Sequence, residues 1–164
     1  MLGDLKIIFN TGSQDLSVTF LRMLGEMPRT KLPIGSGGSY AKSGNFLASG
    51  PSFETRHLFD INHIITSADA LILMAIWEIS DARRRSFGNW QITIEDETEL
   101  FFEERTAATK TRSSVAGTTA IELNGGVYYY AKFQAFMPKA PAFGIDSQGN
   151  RVAIFSLQET GVKI

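Results

Sequence analysis

The sequence predicts a strand-rich α+β fold: a small β-barrel or sandwich of antiparallel strands, one flanking apolar α-helix and a long Gly/Ser-rich arm. Three observations carry this expectation. Several short stretches alternate between apolar and polar residues, most clearly residues 53–61, 90–95 and 127–137. One run, residues 67–85, is apolar through successive helical turns. Between Pro28 and Pro51 lies a glycine- and serine-rich segment longer than connections inside compact domains usually are.

The first extended stretches are residues 5–9 and 16–24, separated by the turn-prone Asn10, Thr11, Gly12 and Ser13. The second could also be a short helix. The arm follows, about residues 31–52, where Gly35, Gly37, Gly38, Gly44 and Gly50 mix with serines. Tyr40, Phe46 and Leu47 are unusual for a plain linker, and the segment reads either as an arm or hairpin that orders on meeting a partner or as a mobile surface loop. In residues 53–61, Phe53, Thr55, His57, Phe59 and Ile61 share one face of a strand, with Glu54, Arg56 and Asp60 on the other.

The helix opens on Thr66 or Ser67 as N-cap, with Asp69 three residues after Thr66, and closes on Arg83, Arg84 and Arg85 before Gly88. Leu71, Ile72, Leu73, Met74, Ile76, Trp77 and Ile79 leave it almost no polar face. One sheet face cannot cover all of that surface. A neighbouring subunit is expected to cover the rest, with Trp77 and Ile79 as contacts.

After the helix, Trp90, Ile92 and Ile94 alternate with Gln91, Thr93 and Glu95. Asp96 to Glu99 reads as a tight acidic turn, with Leu100, Phe101 and Phe102 pairing back. Residues 103–118 form a polar second arm containing Lys110 and Arg112. The Asn124-Gly125-Gly126 signal marks a hairpin into residues 127–137. Pro138 and Pro141 end that strand, residues up to 150 are loop, and residues 151–157 close the sheet. With 164 residues, no repeat and no evident boundary, the chain reads as one domain, residues 1–164.

Composition narrows the function. The absence of cysteine excludes disulfides and thiolate metal sites. Sixteen Lys and Arg against 17 Asp and Glu provide no basic excess for nucleic-acid binding as a primary role. The first residues lack a signal-peptide pattern, and the longest apolar run, residues 70–77, is too short to span a bilayer. No membrane anchor is expected.

Catalytic signatures are missing. His57 and His63 lack metal-pair spacing and read as core or interface residues. Ser36, within Gly35-Ser36-Gly37-Gly38, lacks the context of a phosphate loop or a nucleophile elbow. The acids Glu95, Asp96, Glu97, Glu99, Glu103 and Glu104 have three readings: a solvated rim, paired carboxylates for sugar hydrolysis, or a negative channel wall that lets DNA slide. Tyr129 points to one face of its strand, and Tyr128 and Tyr130 to the other, where they suit a contact surface.

This order of elements resembles the tail-tube fold of contractile and siphon-like bacteriophages, shared by tube, tube-initiator and distal-tail proteins and by type VI secretion tube subunits. The resemblance lies in the pattern of elements: early strands, the arm at residues 31–53, the helix at 66–85, the acidic segment and the aromatic strand. It implies a non-enzymatic virion subunit without cofactors, assembled in the host cytoplasm. Copies would form a homo-oligomeric ring, a hexamer in that family, alongside neighbouring tail proteins and with DNA only as transient cargo. Tyr40, Phe46, Leu47, Trp77, Ile79, Tyr128 and Tyr130 are the expected inter-subunit contacts, and Glu95, Asp96, Glu97 and Glu99 the channel-lining candidates. The alternative is a carbohydrate-binding β-sandwich module using Tyr128, Tyr130, Trp90 and the acidic loop.

Overall fold

The period-two stretches pair into one curled antiparallel sheet. In the computed structural model the described residues are 3–23, 29–32, 37–40, 46–49 and 56–160. In chain order they form β1 (Leu5–Asn10), β2 (Asp15–Phe20), β3 (Arg29–Leu32), β4 (Gly37–Tyr40), β5 (Phe46–Ser49) and β6 (Arg56–Ile64). Then come α1 (Ser67–Arg85), β7 (Ile92–Glu103), β8 (Ser113–Ser114), β9 (Ile121–Leu123), β10 (Gly126–Phe136), β11 (Ala142–Ile145) and β12 (Arg151–Glu159). The main sheet runs β2-β1-β7-β10-β12-β6-β3, with β8 and β9 also on β10 and β11 on β12. β4 and β5 form a separate two-stranded sheet. The result is a β-rich half-barrel with a single helix among the described residues.

Alternation decides which side chains enter the curl. Ile7 and Phe9 of β1, Ile92 and Ile94 of β7, Tyr129 and Phe133 of β10, Phe155 and Leu157 of β12, and Phe59 and Ile61 of β6 are all buried. His57, Phe59 and Ile61 share the inner face, as expected; Ser36, Phe53 and Thr55 lie outside the described residues. Phe59 stacks on Phe133 with ring centres 5.4 Å apart and planes 13° from parallel. The open sides of the curl approach at one end, where Phe20 meets the His63 ring and His63 Nε2 lies 3.1 Å from the Leu21 carbonyl oxygen.

The helix fills part of the concave face. Thr66 caps it: its Oγ1 accepts the Asp69 N–H at 3.0 Å and donates to the Asp69 carboxylate at 2.7 Å. Ala70, Leu73, Ile76 and Ser80 are buried, whereas Leu71 is 73 % exposed and Glu78, Ala82, Arg84 and Arg85 also face outward. The helix therefore has an outer stripe, and Leu71 is its large apolar residue. Trp77 and Ile79 are half-buried and pack in part against the chain's own core. Arg83 ties the last turn to the sheet by donating to the carbonyl oxygens of Asn10 and Thr11, at 3.1 and 2.6 Å.

Three expectations are corrected. The acidic segment is not a turn, because β7 continues through it for 12 residues. It holds a bulge instead: Asp96 pairs with Ala131 and Phe101 with Tyr129, so residues 97–100 stand opposite Tyr130 alone. Hydrogen bonds from the Thr98 N–H and hydroxyl to Asp96 Oδ1, at 2.9 and 2.6 Å, fold this bulge locally without reversing the strand. Residues 103–118 are not an extended arm: β8 pairs with β10, and the Val115 N–H donates to the Tyr130 carbonyl at 2.9 Å. The region expected to be loop before residue 150 contains β11, returned onto β12 by a turn in which Asp146 accepts from the N–H groups of Gln148 and Asn150.

The Asn124-Gly125 hairpin is as expected. Both residues adopt positive φ, 53° and 77°, which suits the twist of a tight two-residue connection between β9 and β10.

Candidate functional site

Polar residues stand at apolar-parity positions on neighbouring strands. His57 begins the buried face of β6, Glu159 ends that of β12, and Tyr129 lies on the buried face of β10. An ionisable group buried at such a position needs a partner. Arg112 supplies it. Residues 104–118 fold over this end of the concave face and bring the guanidinium inside, with 8 % of its side chain exposed.

Arg112 Nε and Nη2 bind the two oxygens of Glu159 at 2.7 and 2.9 Å, a fork-to-fork contact. Arg112 Nη1 reaches Glu103 Oε1 at 3.1 Å. Glu103 also accepts from the Thr111 N–H and hydroxyl, at 2.8 and 2.7 Å, and from the Tyr129 hydroxyl. Glu159 Oε2 accepts the His57 backbone N–H at 3.0 Å and lies 3.0 Å from His57 Nδ1. The His57 ring meets Phe101 edge-on, and the Arg112 guanidinium lies 5.6 Å from the centre of the Phe101 ring. One arginine thus holds two carboxylates from β7 and β12 together under an aromatic wall.

The electrostatics follow from this geometry. Burial alone would raise the Glu159 carboxyl, but hydrogen bonds from His57 and Arg112 and the guanidinium charge overcome it and bring the group down from 4.5 to about 2. Burial opposes ionisation of Glu103 as well, yet bonds from Tyr129 and Thr111 hold it below its ordinary value. For Arg112 burial favours loss of the proton, and the two carboxylates outweigh it and raise the group. Burial and the Glu103 carboxylate push the Tyr129 phenol upward.

A depressed carboxylate means that the unfolded chain binds more protons than the folded one as pH falls from 4.5 toward 2. Glu159 should therefore contribute about 3 kcal/mol of stability above pH ~5, lost progressively on acidification through that window. Urea midpoints measured from pH 6 to 2.5 should fall more steeply for the native chain than for Glu159→Gln. Parallel curves would show that Glu159 is not held in this way.

The structure disperses the residues the sequence singled out. On β4 and β5, Tyr40 pairs with Phe46 and Ser39 with Leu47; their side chains lie outside the described residues. Tyr128 and Tyr130 share the outer face of β10, half-buried, and the Tyr128 ring contacts Phe102 with centres 4.9 Å apart. Trp90 packs edge-on against Phe136, at the far end of the same strand. Eight residues of strand separate Tyr128 from Phe136, roughly 26 Å, so the two tyrosines and Trp90 do not form one platform.

The four acids likewise form no common wall. Glu95 is half-buried and paired with Lys132 at 3.3 Å, Asp96 is fully buried, Glu97 is half-buried and Glu99 is exposed. Asp96 is therefore corrected as a channel-lining residue: in a continuous strand its parity turns it inward.

The network around Arg112 and Glu159 is not among the candidate sites that the sequence singles out. Its signal was present: Glu159 continues the buried parity of Ala153, Phe155 and Leu157, and the pairing of Gln158 with Leu58 sets Glu159 beside His57. Among the described residues, no cluster of His, Asp and Glu has the arrangement to hold a metal ion, and no helix is long and apolar enough to cross a membrane. No family model matches the chain, and no curated protein matches it.

Proposed function

We propose that the chain is a non-enzymatic structural subunit that assembles with copies of itself through its arm, as the tail-tube resemblance implies. It would form a ring around a DNA channel in a phage tail, in the tube or at its baseplate end. The observation that carries this reading is the nested pairing of the arm. Arg29 pairs with Phe59, Leu32 with Arg56, Gly37 with Ser49 and Tyr40 with Phe46, each pair enclosing the next. Main-chain pairing of this kind is suited to β-addition between subunits.

Two further features favour it. β2 and β3 end the main sheet and offer edges for strand pairing. The buried ionic network is arranged as a clamp: every resolved shift holds its group more firmly in the ordinary form, with carboxylates ionised, guanidinium charged and phenol protonated. Acid–base catalysis uses groups moved toward the working pH instead.

Electron microscopy and light scattering of the purified protein test the proposal. Rings or higher species are expected, and a variant in which a short Gly-Ser link replaces residues 37–49 should be a folded monomer. A native protein that stays strictly monomeric at high concentration overturns the reading. Glycan binding by that monomer, lost in Tyr128→Ala, would indicate the carbohydrate-binding class.

A further inference from the structure

Phe87 is placed where neither backbone preference nor packing wants it. The Gly88 N–H donates to the Arg83 carbonyl at 2.9 Å, closing a Schellman-type helix end in which Phe87 takes the left-handed position at φ 57°. Glycine adopts that conformation without cost, and the sequence puts its glycine one residue later. The ring gains nothing in exchange within the chain, since Phe87 is 97 % exposed. Backbone strain combined with a solvated aromatic is a combination that folding alone does not favour. Beside it stand Arg83, Arg84 and Arg85 against the single acid Asp81, which pairs with Arg84 and Arg85 at 2.7 and 3.1 Å. The tip is cationic and carries one projecting ring.

A surface of complementary character lies elsewhere on the chain. Across β9, β10 and β7, Ile121 pairs with Tyr128 and Tyr128 with Phe102; Ile121, Leu123 and Phe102 are about half exposed, at 55 %, 56 % and 45 %. Leu123 borders a cleft of about 570 Å³ whose rim carries Glu104 and Glu122 against one arginine, Arg105. Arg105 lies 3.9 Å from the Glu103 carboxylate. Phe102, Ile121 and Leu123 thus form an apolar patch beside a cleft that is mostly polar and net acidic.

These two surfaces cannot meet within one molecule. The helix tip sits by Phe136, where the Arg84 guanidinium is 5.8 Å from the ring centre, whereas Gly126 lines the cleft. Those residues are the two ends of β10, roughly 30 Å apart.

We propose that Phe87, flanked by Arg84 and Arg85, docks on the apolar patch of Phe102, Ile121 and Leu123, beside the acid-rimmed cleft, on a second copy of this chain. Such a contact is head-to-tail, so it propagates into a ring or a filament. The inference rests on the self-assembly proposed above and adds the pair of surfaces that meet.

Phe87→Gly separates this role from folding. The substitution removes the strained side chain, so the melting temperature should rise while self-association weakens by roughly tenfold or more. Leu123→Arg should weaken association to a similar degree. Mixing the two variants leaves one intact tip facing one intact patch, so a heterodimer should form and grow no further. Association unchanged in Phe87→Gly, or loss in the variants with no heterodimer on mixing, overturns the inference. If removal of residues 37–49 abolishes assembly and Phe87→Gly does not, the arm reading stands and this one fails. If the native chain does not self-associate, both fail.

Discussion

Arg112→Met is expected to lower the free energy of unfolding by about 3–5 kcal/mol, the usual cost of removing one partner from a buried ion pair. The substitution keeps much of the apolar stem but leaves Glu103 and Glu159 facing each other's charge without the guanidinium that both now bind. Two compensations check the cause. Adding Glu103→Gln and Glu159→Gln to Arg112→Met should recover most of the loss, because neutral amides remain in place of uncompensated carboxylates. The triple variant should also lose the acid sensitivity expected of the native chain. Equilibrium urea denaturation at pH 7 measures the loss and its recovery, and repeated from pH 6 to 2.5 it measures the acid sensitivity. A loss below about 1 kcal/mol for Arg112→Met would mean that solvent reaches the carboxylates and screens them as it does a surface pair.

Phe59→Ala should cost a similar amount, about 3–5 kcal/mol, by a different mechanism. Phe59 is fully buried and stacked on Phe133, while Phe133 also touches Phe101 with ring centres 5.9 Å apart. Truncation would leave a void between β6 and β10 that stacked rings on a paired sheet cannot collapse to fill. This destabilisation should not vary between pH 6 and 3, whereas that of Arg112→Met should shrink as the carboxylates are protonated. The contrast separates a packing loss from an electrostatic one. Phe59→Leu, which retains most of the volume, should cost clearly less.

The two variants also bear on how far the fold was legible. Phe59 was placed by alternation alone: its face of β6 follows from residues 57, 59 and 61 being out of phase with 56 and 60. The bounds of α1, a cap at Thr66 or Ser67 and the Asn124-Gly125 hairpin were legible for the same reason, since capping and left-handed turns depend on nearest neighbours in sequence. Arg112 was not legible. It lies in a polar stretch resembling an arm, and only the pairing of β8 on β10 carries it inside.

The acidic segment failed in a related way. Asp96 to Glu99 has the composition of a turn, but β10 pairs with β7 on either side of the bulge, and β1 pairs with residues 93–96 before it. Pairing over the whole strand outweighed the local preference. β11 escaped notice because it is four residues long and becomes a strand only against β12.

Local pattern in the sequence is enough for the strand-rich class, the helix at residues 67–85 and its ends, and the shared faces of the clearest alternating strands. These are properties of period and capping, written within a few residues of chain. Tertiary structure decided the order of strands, the fate of the two polar segments and the meeting of His57, Glu103, Arg112 and Glu159. Those four residues span 102 positions from first to last, counting the separation of His57 from Glu159. No local pattern links positions so far apart, and only the curl of the sheet brings their charges within hydrogen-bonding distance.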